Sequence, residues 1–182
     1  MKLKDILNAP NRVSLSRILL IPVFMAILLS NLPNKEWLAF SIFMIMALTD
    51  SLDGYLARTK NQITALGKYL DPLADKMIIS AALITLVELG QLSSWIAVII
   101  ISREFAVSGL RMVTGAKNIV IQASYMGKIK TLLQVIAIAF WIVKLHDQTT
   151  VFNITSWIVM SAAIILTVVS GIDYFIKAKD YL

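Results

Sequence analysis

Six runs of mainly apolar residues, near 13 to 31, 36 to 58, 68 to 90, 93 to 114, 124 to 144 and 152 to 176, occupy most of this 182-residue chain. Each is close to the roughly 20 residues that a bilayer's hydrocarbon core requires of a spanning helix. A backbone in lipid must satisfy its own hydrogen bonds, so runs of this kind are helices. The chain therefore reads as an all-α integral membrane protein, a six-transmembrane-helix bundle forming a single domain over 1–182. Composition agrees: 58% of the residues are hydrophobic and 15% charged, whereas soluble domains average roughly 25% charged. There is no cysteine and only one histidine, His146. Thiolate and multi-histidine metal sites are thereby excluded, and any metal must be held by oxygen.

The breaks between runs have local causes. Pro33 lies between Asn31 and Asn34, Gly90 precedes Ser93 and Ser94, and a polar stretch from Thr149 to Asn153 precedes the last run. Connections this short make successive helices antiparallel neighbours, so the two membrane faces alternate along the chain. Thirteen of the 17 Lys and Arg then fall on the face holding the N-terminus, and two, Lys35 and Lys144, on the other; Lys76 and Arg103 lie within spans. That asymmetry predicts a multi-pass protein of the cytoplasmic membrane with both termini in the cytoplasm. No small-residue cleavage pattern follows the first run, which is read as a span rather than a signal peptide. Ahead of it, Leu3, Ile6 and Leu7 share one helical face, which predicts a short N-terminal interfacial helix on the anionic leaflet, with a frayed basic N-terminus as the equal alternative. The net charge of +6 fits this basic inner face and an anionic lipid or substrate, rather than nucleic acid. Trp37, Trp95, Trp141 and Trp157 fall near outer ends of spans, as in an aromatic belt, and His146 falls in an outer loop.

Ionisable groups within spans are costly and usually functional, and here they are concentrated. Between Thr49 and Lys76 the chain reads TDSLDGYLARTKNQITALGKYLDPLADK. Asp50 and Asp53 stand at i and i+3 at the cytoplasmic end of the second span, and Asp71 and Asp75 at i and i+4 at the start of the third. On helices each pair faces one way, and the intervening loop folds the pairs together. Four close carboxylates repel unless positive charge lies among them. Oxygen ligands alone select Mg2+, Mn2+ or Ca2+, and four negative charges match two divalent cations, a pairing suited to displacement at phosphorus. Gly54, Ala57 and Gly67 leave room for a bulky anion or for a neighbouring helix, and Arg58 supplies a fixed charge suited to a diphosphate.

The residues Asp50, Asp53, Gly54, Ala57, Arg58, Gly67, Asp71 and Asp75 match without departure the pattern D-x2-D-G-x2-A-R-x8-G-x3-D-x3-D. In this the chain resembles the CDP-alcohol phosphotransferase family, and the six-span arrangement extends the resemblance over the whole chain. The resemblance implies transfer of a substituted phosphate from a CDP-linked donor to an alcohol, with release of CMP. It further implies a binuclear site of two divalent cations, Mg2+ or Mn2+, surrounded by Asp50, Asp53, Asp71 and Asp75, with Asp75 also the general base. Gly54, Ala57, Arg58 and Gly67 would line the CDP pocket on the cytoplasmic side. Pro10, Asn11 and Arg17 resemble the family's approach to its first span, with Ser14 in place of the usual threonine. Asn11 and Arg17 would then reach the cytidine or diphosphate; read from the residues alone, Asn11 could equally start the helix and Arg17 could snorkel. A homodimer is implied by the resemblance only.

The acceptor is read from the fourth and fifth runs. The fourth contains ISREFAVSGLR and the fifth opens YMGKIKTLLQ. A cluster of Arg103, Arg111, Lys128 and Lys130 suits an acceptor carrying its own phosphate and repels choline or ethanolamine. Both segments resemble the branch of the family whose acceptor is sn-glycerol 3-phosphate and whose donor is CDP-diacylglycerol. Arg111 and Lys130 are the leading phosphate ligands, with Arg103 and Lys128 next, and Glu104 is expected to orient Arg103 or Arg111. Against this stand a positive-inside anchor for Lys128 and Lys130, and other acceptors such as serine, inositol phosphate or phosphatidylglycerol. Two further classes use acidic sites on helices: Mg2+-dependent membrane prenyltransferases, whose motifs are more widely separated, and cation transporters, whose sites lie nearer the midplane.

Overall fold

The computed structural model describes residues 9–59, 67–116 and 125–179, with side chains over 14–49, 72–115 and 126–179. The described residues form six helices and no strand: α1 (Ala9–Leu29), α2 (Lys35–Thr59), α3 (Gly67–Glu88), α4 (Ser94–Ala116), α5 (Tyr125–Lys144) and α6 (Thr150–Ala178). Each apolar run is one helix, with ends shifted by a few residues. α1 begins at Ala9 rather than 13, since Pro10 is compatible with a first turn where its missing N–H costs nothing. The breaks act as expected. Gly90 has φ +68° and Asn34 φ 54°, left-handed conformations that glycine and asparagine tolerate best. The carbonyl of Thr149 accepts the Asn153 N–H at 2.9 Å, closing the first turn of α6. The expected interfacial helix falls on residues 1–8, outside the described residues.

Among the described residues, two helical stretches are long and apolar enough to cross a membrane, Met126–Lys144 and Thr150–Ala178, while Ser14–Leu29 is a shorter apolar stretch. α2, α3 and α4 differ from these in carrying several charged residues each, among them Asp50, Asp53, Asp71, Asp75, Arg103 and Glu104.

The helices form two compact units, residues 1–89 and 90–182. In the first, α1 packs against both α2 and α3, around Phe24, Leu28, Phe43, Met46, Leu83 and Leu86, all essentially buried. The rings of Phe24 and Phe43 lie 6.0 Å apart. In the second, α6 is the spine against which α4 and α5 pack. Its buried residues are Ser156, Met160, Ala163, Thr167, Ser170, Gly171, Tyr174 and Ala178, a seam at alternating three- and four-residue spacing made mostly of small side chains. Small residues let helix backbones approach closely where there is no hydrophobic drive between helices.

Polarity is inverted relative to a water-soluble protein. Leu19, Ile45, Met112, Ile158, Ile165 and Ile172 are exposed, whereas Arg17, Lys130, Gln134, Thr167 and Ser170 are buried. An apolar exterior of this extent fits lipid as its surroundings. Trp37, Trp95 and Trp157 are exposed at 46%, 75% and 43%, as a belt requires. Trp141 is fully buried instead: its indole N–H donates to the Ser156 carbonyl at 3.3 Å, its ring meets Trp157 edge-on at 4.9 Å, and the Lys144 ammonium lies 4.0 Å from its centroid.

Candidate active site

The aspartate motif lies wholly within the first unit. Asp50, Asp53, Gly54, Ala57 and Arg58 are on α2 and Gly67, Asp71 and Asp75 on α3, and these two helices pack together. The helical spacing on which the paired-carboxylate reading depends is therefore present in both elements. The side chains of Asn11, Asp50, Asp53, Ala57, Arg58 and Asp71 lie outside the described residues. Among the described residues, which include only the fourth aspartate, no cluster of three metal-ligating side chains occurs. The donor chemistry of the four positions is uniformly carboxylate oxygen, which fits hard divalent cations.

Asp75 is described, and its Oδ1 accepts a hydrogen bond from Arg17 Nη1 at 2.9 Å. The Arg17 side chain is 2% exposed and that of Asp75 39%. Arg17 thus does not snorkel to the surface. It sits between α1 and α3 and holds the carboxylate of the motif's last residue. The two residues are 58 apart in sequence, and no local spacing connects them.

The four basic residues expected at the acceptor site, all in the second unit, divide into three kinds. Lys130, on α5, has a side chain 2% exposed and pairs with Glu104 Oε1 of α4, so it is no surface anchor. Arg103 is held on all sides: Nη1 donates to the same Glu104 oxygen at 3.3 Å, Nε to the Thr167 carbonyl at 3.2 Å, and Nη2 to Ser170 Oγ at 2.9 Å. Gln134 Nε2 donates to Thr167 Oγ1 at 2.8 Å, extending the buried network to α5. Arg111 and Lys128 are exposed. Arg111 donates from Nε to the Tyr174 hydroxyl at 3.1 Å, and its guanidinium lies 5.0 Å from the Tyr174 ring centroid. Glu104 therefore orients Arg103, as expected, but its second partner is Lys130 rather than Arg111. Ser108, one turn on, returns its hydroxyl to the Glu104 carbonyl at 2.7 Å and adds nothing to the cluster.

A model of the CDP-alcohol phosphatidyltransferase family matches residues 7–169. The chain belongs to that family. Among relatives of this CDP-alcohol phosphatidyltransferase, a Bacillus subtilis protein named CDP-diacylglycerol--glycerol-3-phosphate 3-phosphatidyltransferase is 41% identical over 191 residues, covering 96% of this chain and 97% of its own. A Mycobacterium tuberculosis protein named probable phosphatidylglycerophosphate synthase is 38% identical over 176 residues, covering 95% and 82%. A Haemophilus influenzae protein with the same name as the first is 37% identical over 180 residues, covering 96% and 95%.

Family membership makes the residues that the motif alone does not reveal more informative. Along α6, Ser170 and Tyr174 meet the arginines of α4 through their hydroxyls and Thr167 through its main-chain carbonyl, a polar stripe at three- and four-residue spacing. That polar stripe was the available signal. Gly171 belongs to it: a Cβ added there would lie 3.0 Å from Arg103 Cγ, and Arg103 is tied down at three nitrogens. Gly171→Val is accordingly expected to destabilise the phosphatidyltransferase by about 1–3 kcal/mol, read as a lower midpoint of thermal unfolding in detergent. An unchanged midpoint would show that Arg103 has room to move.

Proposed function

We propose that this CDP-alcohol phosphatidyltransferase transfers the phosphatidyl group of CDP-diacylglycerol to sn-glycerol 3-phosphate, giving phosphatidylglycerophosphate and CMP. The observation that carries the acceptor is the cationic cluster of the second unit. Arg103 and the buried Lys130 share one carboxylate, Glu104, with Arg111 within electrostatic reach of both. Three cations against one anion call for a further anion, and a phosphate monoester supplies it. The names of the full-length relatives support the same acceptor.

In this reading the acceptor hydroxyl oxygen attacks the donor phosphorus, the new O–P bond forms as the bond to CMP breaks, and the hydroxyl proton passes to Asp75. Arg17 holds the Asp75 carboxylate in orientation for that transfer. Asp50, Asp53, Asp71 and Asp75 would hold two divalent cations, Mg2+ or Mn2+. Bound there, they would supply positive charge against the diphosphate and the departing CMP. Arg58 and the small positions Gly54, Ala57 and Gly67 take the CDP group, with Asn11 beside them. Arg111 and Lys130 take the acceptor phosphate, Lys128 draws it in from the surface, and Arg103 braces the pair. The apolar exterior and the alternating helices support six spans in one domain over 1–182 of the cytoplasmic membrane, with termini and active site on the cytoplasmic side. The family resemblance supports a homodimer there.

The test is CMP release by the purified protein in detergent, with CDP-diacylglycerol and Mg2+ and each of glycerol 3-phosphate, serine, inositol phosphate and phosphatidylglycerol. Release is expected only with glycerol 3-phosphate, and is expected to stop when a chelator is added and to return with Mg2+ or Mn2+. Turnover with another acceptor would overturn the assignment of the basic cluster. No CMP from any acceptor would overturn the proposed reaction.

A further inference from the structure

Tyr174 lies on α6 in the second unit, one turn beyond Ser170, and is 3% exposed. Its ring packs with Val107 and Leu110 of α4 and with Ala178, so its position is set by the apolar contact between the two helices. Its hydroxyl accepts from Arg111 Nε, and its ring lies beneath the same guanidinium. Arg111 is thus gripped through its inner nitrogen and one face. Among the described residues its two terminal nitrogens, Nη1 and Nη2, have no protein partner, and the side chain is exposed. Arg103 presents the opposite case, since all its nitrogens are taken by protein oxygens.

A guanidinium engages a phosphate bidentately through two parallel N–H groups, and an exposed arginine loses much side-chain freedom in doing so. A partner that fixes Nε while leaving both terminal nitrogens open removes part of that loss before the ligand arrives. We propose that Tyr174 is a positioning residue for the acceptor phosphate, acting through Arg111. The inference rests on the reading of Arg111 as an acceptor-phosphate ligand and deepens it.

Tyr174→Phe removes only the hydroxyl and keeps the ring against Val107 and Leu110. The expected result is a KM for glycerol 3-phosphate raised about five- to tenfold, the size of one lost hydrogen bond, with kcat, the KM for CDP-diacylglycerol and the unfolding midpoint unchanged. In an Arg111→Ala background the same substitution is expected to have no further effect on the acceptor KM, because the two residues act as one unit. If Arg111→Ala raises the acceptor KM but Tyr174→Phe does not, the inference fails and the proposed acceptor site stands. If Tyr174→Phe acts equally in both backgrounds, or lowers kcat and the midpoint together, Tyr174 is a packing residue and the inference fails. If Arg111→Ala itself leaves the acceptor KM unchanged, the reading of Arg111 is what fails, and the inference with it.

Discussion

Asp71→Asn is expected to lower phosphatidyl transfer by at least about a hundredfold, the scale on which a single preorganised electrostatic partner is lost from a reacting centre. Asp71 stands on α3 one turn before Asp75, so the two positions share a helical face. Asparagine keeps the shape and one oxygen but removes a charge from a set of four. Relief of repulsion among the carboxylates should leave the helices intact. The variant is therefore expected to purify, elute and melt as the parent does while releasing almost no CMP. Turnover near that of the parent would remove Asp71 from the metal-holding set.

The second large effect concerns stability rather than turnover. Glu104→Leu leaves Lys130 and Arg103 without the carboxylate they share, and the Lys130 side chain is 2% exposed. Breaking a buried pair from one side costs about 3–5 kcal/mol, because the remaining charge is stranded. A clear fall in the unfolding midpoint is expected, and Lys130→Met in the same chain is expected to restore much of it. Activity should stay low in the double variant, since Lys130 is also a proposed phosphate ligand. A double variant no more stable than Glu104→Leu alone would show that the carboxylate serves Arg103 only.

The six helices were legible because apolar runs of about bilayer thickness bounded by Pro33, Gly90 and Thr149 admit few other structures. The carboxylate motif was legible because its spacing is local: Asp50 with Asp53 and Asp71 with Asp75 need only a helix to share a face. What sequence did not disclose are the partnerships that depend on which helix packs against which. Arg17 finds Asp75, Lys130 finds Glu104, and Arg111 finds Tyr174 only because α1 lies on α3 and α6 carries α4 and α5. Trp141 illustrates the same limit. Its place near a span end resembles that of Trp157, yet one is buried and the other exposed, and that difference is set by which side of α5 meets α6.

The pairing of Arg17 with Asp75 also bears on how the chain is made. α1 leaves the ribosome before α3, carrying a cation whose carboxylate partner is 58 residues away. At roughly 5–20 residues per second, several seconds pass before that partner exists. During this interval the guanidinium must be served by water or by other polar groups. Assembly of the first unit thus waits on the arrival of the same helix that carries the proposed base, which ties the order of assembly to a proposed catalytic pair.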